Sequence, residues 1–434
     1  MKPIPKPEGD AALHALRRLV QDRYVLAALE ALHAGLGDVF QLPLPGFNAT
    51  MLVGPQANRL VLVEEREQLL WRAEHDPVTH LLRHGVLVVD GDAHDKLRRE
   101  MNPSLHRKMI DGYVQQMWQR TDQIIDRWHA GSTPDMLVEM RKIALLILTD
   151  TLFRDDFTPH LAPMWQSVIR NIQYISPGLW LIWPGVPRPG YGRALRQMNE
   201  YLYTLIAARR AQVDHQADAP TDLLGGLITA GLSDDLIRDQ LLTMLIAGHD
   251  TSTALLAWAL YLLATHPDVL ERAYAEVDTV LDGRPPELAD VSRLEYLDQV
   301  AKETLRLYPP IHLGSRIAAT DIEFQDYVLP AGRRVLYSIY LSHRHPAYWS
   351  DPQRFDPDRF APEASRQRPP YLYLPFGGGQ RNCIGTAFAQ VEAKIVLARI
   401  LQKWSLRFAG GHVRPRMGAT LEPHPGPRLH VQPR

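Results

Sequence analysis

The chain contains a single cysteine, Cys383, and its neighbours favour a thiolate that binds a metal. A glycine-rich approach, Gly377-Gly378-Gly379, precedes it, and apolar residues with helical spacing follow from Ile384 to Ala398. A helix N-terminus offers free backbone N–H groups and the positive end of a dipole, and both stabilise an anionic sulfur. The glycines let the backbone approach a flat ligand closely. A lone cysteine without such neighbours is most often a small buried apolar residue.

A second pattern predicts a long buried helix with one carboxylate at its middle. The helical periodicity begins after Ser233 and continues to Thr265, and between Asp239 and Asp268 the only acidic residue is Asp250. Burying an unpaired charge is costly, so we expect this carboxylate to have a partner or to contact internal water. The apolar stretches on either side are shorter than the roughly 20 residues of a membrane span.

Four segments together resemble the cytochrome P-450 superfamily. The similarity as a whole extends from the helix near Gly91 to the C-terminus. The five fixed positions of its haem-binding loop are matched by Phe376, Gly379, Arg381, Cys383 and Gly385. A second match is the oxygen-activation segment at Ala247–Thr251, and a third is the pair Glu303 and Arg306. The fourth is Phe355–Phe360, and in the family the arginine at the position of Arg359 completes a buried network with that pair. The resemblance implies a mainly α-helical fold with small β-sheets. The haem is expected between the long central helix and the helix after the cysteine loop.

The resemblance implies haem b, iron protoporphyrin IX, as the cofactor, with Cys383 as the iron ligand. Haem carries two propionates, which require cationic or strong donor partners when buried. The family's propionate contacts correspond here to His94, Arg98, Arg316 and Arg381, although many relatives carry Trp in place of His94. Further haem contacts are expected from Phe376, Gly377, Gly385 and Ala247.

For Asp250 and Thr251 the resemblance implies proton delivery through water, where the central helix opens locally beside the iron. The alternative is an ordinary helix threonine whose hydroxyl donates to the carbonyl of Ala247. Because a carboxylate stands next to the hydroxyl, we favour the catalytic pair. The function that follows is a monooxygenase inserting one atom of dioxygen into an apolar substrate. Alternatives are a peroxide-dependent haem-thiolate peroxygenase, which has less need of this pair, and a non-catalytic haem protein.

By analogy, the substrate meets four mainly apolar segments, which favours a fatty acid, terpenoid or carotenoid-like molecule. These segments are Asp76–Val89, Ile175–Trp183, Leu242–Ala247 and Pro310–Leu313. The chain has no flavin or iron–sulfur motif, so electrons must come from another protein, and we expect a ferredoxin or flavodoxin with its reductase. A basic tract, defined as Lys96, Arg99, Arg107 and Lys108, is a candidate docking surface for that protein. A solvated helix face explains the same charges equally well.

The elements that position these residues follow from hydrophobic periodicity and turn residues. Helical patterns cover Ala11–Gly35, Asp95–Leu148, Arg193–Val213 and Leu294–Tyr308. Strands are predicted at Val39–Leu44, Ala49–Val53, Leu60–Val63, Ile322–Leu329 and Arg333–Tyr340, the last two around the turn Pro330–Gly332. The unusually apolar loop Pro177–Gly192 is expected to pack against or cover an apolar region.

Composition narrows the class of protein further. The 434 residues carry a net charge of -1, so no basic field recommends nucleic acid as a partner. One cysteine permits no intrachain disulfide, and Met1–Asp10 lacks the pattern of a signal peptide or membrane anchor. We therefore expect a cytoplasmic protein without a transmembrane anchor. The whole of 1–434 is interpreted as one haem-thiolate monooxygenase domain with a small β-rich lobe near its N-terminus.

Overall fold

Helices dominate the fold, as predicted. The computed structural model describes residues 1–22, 24–44, 47–73, 76–178, 186, 188–213 and 222–434. The α-helices are α1 Gly9–Asp22, α2 Val25–Leu36, α3 Pro55–Arg59, α4 Pro77–Leu82, α5 Gly91–Met101, α6 Arg107–Ile110, α7 Val114–Ile125, α8 Met136–Leu148, α9 Thr158–Ile175, α10 Tyr191–Val213, α11 Leu223–Thr229, α12 Asp234–Met244, α13 Asp250–Thr265, α14 Pro267–Leu281, α15 Leu288–Val291, α16 Glu295–Leu307, α17 Ile339–Ser342, α18 Pro362–Arg366 and α19 Thr386–Lys403.

The strands form one five-stranded sheet and three two-stranded pairs among the described residues. In chain order they are β1 Val39–Leu44, β2 Phe47–Leu52, β3 Leu69–Leu70, β4 Leu313–Ala318, β5 Ile322–Phe324, β6 Tyr327–Leu329, β7 Arg334–Ser338, β8 Trp404–Phe408, β9 Arg414–Met417, β10 Leu421–His424 and β11 Leu429–Pro433. The larger sheet has the order β1-β2-β7-β4-β3, with β2 and β7 parallel. Its two faces bury separate apolar clusters, one of them against α1 and α2.

The central helix predicted from Ser233 to Thr265 is present, but it is not α-helical throughout. The hydroxyl of Ser233 caps α12, a π-helical turn occupies Leu245–His249, and α13 continues to Thr265. Its apolar surroundings are α8, α16 and α19, which all pack against α13. A π turn widens a helix locally and is common at functional sites.

Among the residues that the structure describes, no single helix is long and apolar enough to cross a membrane. One pair of helices, the central helix and α14, meets those two criteria together, but the pair is bent by 111°.

Several predicted elements differ from the structure. The strand predicted at Leu60–Val63 is wrong: Pro55 starts a helix, and Leu60–Glu64 continues it as a π-helical turn. The alternation expected of a half-buried strand is missing, because Leu60, Val61 and Leu62 are all buried. Consecutive apolar residues at this site are therefore helical core.

Three other predicted elements have different bounds in the structure. Ile322–Leu329 is not one strand but the hairpin of β5 and β6, which turns at Gln325 with φ 53°. The strand predicted over Arg333–Tyr340 ends at Ser338, whose hydroxyl caps α17. The predicted helix Ala11–Gly35 is divided into α1 and α2. Of the apolar loop Pro177–Gly192, residues 179–185 and 187 lie outside the described residues.

Candidate active site

Cys383 lies on the loop that enters α19, two residues before the N-cap Gly385. The backbone N–H of Cys383 donates to the carbonyl of Phe376 at 2.8 Å, which closes the loop. Burial raises the pKa of the thiol, and the Gly385 amide, the Thr386 hydroxyl and Arg98 offset part of that rise. The Cys383 side chain nevertheless remains accessible. An exposed cysteine whose thiol is desolvated by the surrounding protein can accept a ligand.

Gly379 in this loop is required by close packing against the π-helical turn at Leu60–Glu64. Gly379 has φ 63°, and a Cβ atom there would lie 2.3 Å from the carbonyl oxygen of Leu62. No side chain fits at that distance, and the positive φ disfavours other residues independently. The segment mispredicted as a strand thus holds the cysteine loop in place.

Three of the four predicted propionate partners interact with one another near the cysteine loop. Arg98 donates to the backbone carbonyl and to Oδ1 of Asn382, at 2.5 and 2.8 Å, immediately before Cys383. Burial lowers the pKa of His94, and Arg381 and Arg98 lower it further. His94 also lies 2.7 Å from Asp95, measured from Nδ1 to Oδ1, so a carboxylate compensates part of the positive charge on this side of the loop.

Arg381 connects this group to the fourth predicted partner. It donates to the carbonyl of Val89 and, at 2.6 Å, to Asp90. Burial lowers the pKa of Arg381 to about 10, and the nearby cations Arg316 and Arg66 act in the same direction. Like charges held this close favour an anion between them.

Arg316 on β4 is a buried cation without a carboxylate partner among the described residues. Its side chain donates to the carbonyl of Ser315 at 2.7 Å, and the residue is 5% exposed. The rings of Trp71 and Tyr337 lie 6.0 and 5.5 Å from its guanidinium carbon. A buried guanidinium is stable only when an anion or several acceptors compensate it. The accessible sulfur and this uncompensated cation fit a haem with two anionic propionates.

The central helix presents a small accessible patch to the interior. Of residues 237–260, only Ala247, Gly248 and Thr251 are not fully buried. The Thr251 hydroxyl donates to the carbonyl of Ala247 at 2.6 Å, the bond expected of an ordinary helix threonine, and lies 3.2 Å from that of Gly248. A Cβ on Gly248 would lie 2.5 Å from the side chain of Leu148, so α8 supports the other side of the turn.

Asp250 has the partners that its burial requires. Arg141 Nη2 donates to one carboxylate oxygen at 2.8 Å, and the hydroxyl of Thr420 donates to the other at 2.9 Å. The same Nη2 also contacts Glu422. Sequence reasoning did not identify Arg141, Thr420 or Glu422. The available signal was Arg141 itself, a charged residue within an otherwise apolar helical run.

Glu303 and Arg306 form a fully buried two-point ion pair, with N–O distances of 2.7 and 2.8 Å. Arg306 also donates to the carbonyls of His343, Pro352 and Arg354. Arg359 approaches Glu303 to 3.5 Å, as the family pattern implies. All three nitrogens of the Arg306 guanidinium donate hydrogen bonds, so the ion pair holds these backbone segments together and has a structural role.

The expected docking and substrate segments are also placed by the structure. All four residues of the basic tract are exposed. Leu242–Ile246 is buried beside the accessible patch, whereas Ile311, within Pro310–Leu313, is 42% exposed. Of the segment Ile175–Trp183, residues 179–183 fall outside the described part of the chain.

The comparisons with known proteins agree with this geometry. The family model for cytochrome P450 matches residues 13–429. Cyclooctatin synthase from Streptomyces melanosporofaciens is 33% identical over 427 residues, covering 95% of this chain and 92% of that protein. Pentalenene oxygenase from Streptomyces avermitilis is 30% identical over 424 residues, covering 94% and 92%. The solved structure of the retinoic acid-bound cyanobacterial CYP120A1 superposes with a TM-score of 0.82 at 26% identity, covering 93% of each chain.

Proposed function

The chain belongs to the cytochrome P450 family and is a monooxygenase of that family, and from this premise we propose that it oxidises an apolar, terpenoid-like substrate with electrons from a separate protein. The family implies a haem-iron cofactor. The observation that carries the proposal is that two sites, among closely packed helices, remain accessible. One is the sulfur of Cys383, and the other is the patch of Ala247, Gly248 and Thr251.

Haem b is the proposed form of the cofactor, and Cys383 would supply the ligand to its iron. Bound haem supplies the activation of dioxygen that no amino-acid side chain provides. Arg316, Arg381, Arg98 and His94 bind the propionates, and the uncompensated charge on Arg316 supports this assignment. Further contacts come from Phe376, Gly377, Gly385 and Ala247.

Asp250 and Thr251 are proposed to deliver protons to the accessible patch. The Thr251 hydroxyl is partly accessible and its hydrogen is directed to Ala247, which leaves its oxygen free to accept from water. Asp250 is bound by Arg141 and Thr420 and must loosen one of these contacts to exchange a proton. The peroxygenase alternative has less use for such a pair.

The substrate class is argued from the lining and from the relatives. Leu242–Ile246 is buried and, except for Thr243, apolar, which suits a hydrocarbon skeleton. Two relatives are named for cyclooctatin and pentalenene, which are terpenoids, and another holds retinoic acid in its solved structure. A terpenoid-like molecule is therefore favoured over a fatty acid.

Electrons are proposed to come from a ferredoxin or flavodoxin with its reductase. The exposed basic tract, Lys96, Arg99, Arg107 and Lys108, is the surface to which an acidic carrier would be steered.

A spectrum and a turnover assay test these proposals together. The reduced carbon monoxide complex should give the red-shifted absorption of a thiolate ligand, and Cys383→Ser should lose it. Terpenoid oxidation should require the carrier system. Turnover with peroxide alone would favour the peroxygenase, and absence of turnover in both would favour a non-catalytic haem protein.

A further inference from the structure

One guanidinium nitrogen donates to two buried carboxylates next to the accessible patch. Arg141 Nη2, on α8, lies 2.8 Å from Asp250 and also contacts Glu422, which belongs to strand β10. All three residues are less than 9% exposed. Two negative charges thus compete for one buried positive charge, and neither carboxylate has the full two-point pairing that Arg306 gives Glu303.

The other groups facing this triad do not remove the competition. Arg416 reaches Glu422 at 3.3 Å, but its side chain is 52% exposed and its charge is screened by solvent. Thr420 adds a neutral donor to Asp250. Burial lowers the pKa of the neighbouring imidazole of His249 to about 4, so it stays neutral. Glu422 therefore weakens the hold of Arg141 on Asp250.

We propose that Glu422 is a positioning residue for proton delivery, which acts by sharing Arg141 and so keeps Asp250 able to exchange partners. The inference rests on the proposed role of Asp250. While Arg141 also contacts Glu422, it holds Asp250 less tightly, and Asp250 can turn toward water at the patch. Without the Glu422 carboxylate, Arg141 would bind Asp250 alone and hold it in place.

Thermal unfolding of the haem-loaded protein tests the sharing itself. Asp250→Asn and Glu422→Gln should each lower Tm by about 2 °C, because the remaining carboxylate takes over Arg141. The double variant leaves Arg141 without a carboxylate among these partners and should lose clearly more than the sum. Additive losses would refute the shared cation. Asp222→Asn, which alters a separate buried pair with Arg209, should add independently to either variant.

The fraction of electrons that ends in product, compared between wild type and variants, tests the consequence. Glu422→Gln should deliver protons about tenfold more slowly, with more peroxide released. Wild-type coupling in Glu422→Gln, beside impaired Asp250→Asn, would refute only the role of Glu422. Unimpaired Asp250→Asn would refute the role of Asp250, and this inference with it.

Discussion

Ser252 donates a hydrogen bond of 2.5 Å to Glu392, which joins α13 to α19 one residue after Thr251. Glu392 is 2% exposed and has no cationic partner among the described residues. Burial raises the pKa of Glu392 to about 8, and the Ser252 hydroxyl offsets only part of that effect. The helix that follows the cysteine loop therefore carries a carboxyl group that is protonated at neutral pH.

This proton makes stability depend on pH in a defined direction. Because the folded pKa of Glu392 lies above the unfolded value, its contribution is complete below about pH 4.5 and is lost as pH rises toward about 8. The slope should approach 1.4 kcal/mol per pH unit in that window. Glu392→Gln should remove it. Denaturant unfolding at pH 5 to 9 checks this, and parallel curves for the two proteins would contradict it.

Thr251→Ala should separate oxygen consumption from product formation. Haem and substrate binding should be unchanged, while reducing equivalents appear as hydrogen peroxide and product formation falls by roughly a hundredfold. Thr251→Ser, which keeps the hydroxyl, should retain most of the coupling. Simultaneous assays of reductant, peroxide and product decide the matter. If Thr251→Ala coupled normally, Thr251 would have only the structural hydrogen bond to Ala247.

Arg316→Ala should weaken haem binding. Loss of a charged hydrogen bond of about 1.5–3 kcal/mol corresponds to roughly ten- to a hundredfold faster haem release. Arg316→Lys keeps the charge and should show a smaller change. Transfer of haem to a scavenging apoprotein measures the rate. As a control, Arg272→Ala removes an exposed ion pair with Asp358 and should leave the rate unchanged. Wild-type release from Arg316→Ala would place the propionates elsewhere.

Glu303→Ala should yield protein that fails to hold haem. Removing one member of a buried pair leaves the other charge uncompensated and costs about 3–5 kcal/mol. Asp298→Asn, which removes a more exposed pair with Lys302, should cost about 1 kcal/mol or less. Thermal unfolding and haem content distinguish the two variants. A stable, haem-loaded Glu303→Ala protein would be inconsistent with the anchoring role.

Neutralising the basic tract should slow electron transfer from an acidic carrier and flatten its dependence on salt. Association steered by charge is fastest at low ionic strength, and each removed charge reduces that advantage. Stopped-flow reduction with Lys96, Arg99, Arg107 and Lys108 replaced by Gln measures the effect. Arg407→Gln removes an exposed charge elsewhere and serves as the control. An unchanged salt dependence would identify the tract as a solvated helix face.

The sequence predicted the parts of the fold that depend on local pattern. The end of the central helix at Thr265 follows from periodicity and proline and is confirmed, and α16 begins and ends one residue inside the predicted helix Leu294–Tyr308. The partners of Asp250 could not be predicted, because they are distant in sequence. Arg141 is 109 residues from Asp250 and 281 from Glu422, and Thr420 is 170 residues from Asp250. Leu60–Val63 was mispredicted because a short apolar run does not distinguish strand from buried helix.

The π-helical turn at Leu245–His249 contains one residue more than the α-helical turn it replaces. Such an insertion is absorbed locally, so α12 and α13 keep the facing directions of one continuous helix. Deleting a single residue from this turn would therefore narrow it without redirecting Asp250 or the far end of the helix. The width of the helix beside Thr251 thus depends on the number of residues in this turn and not on the side chains that surround it.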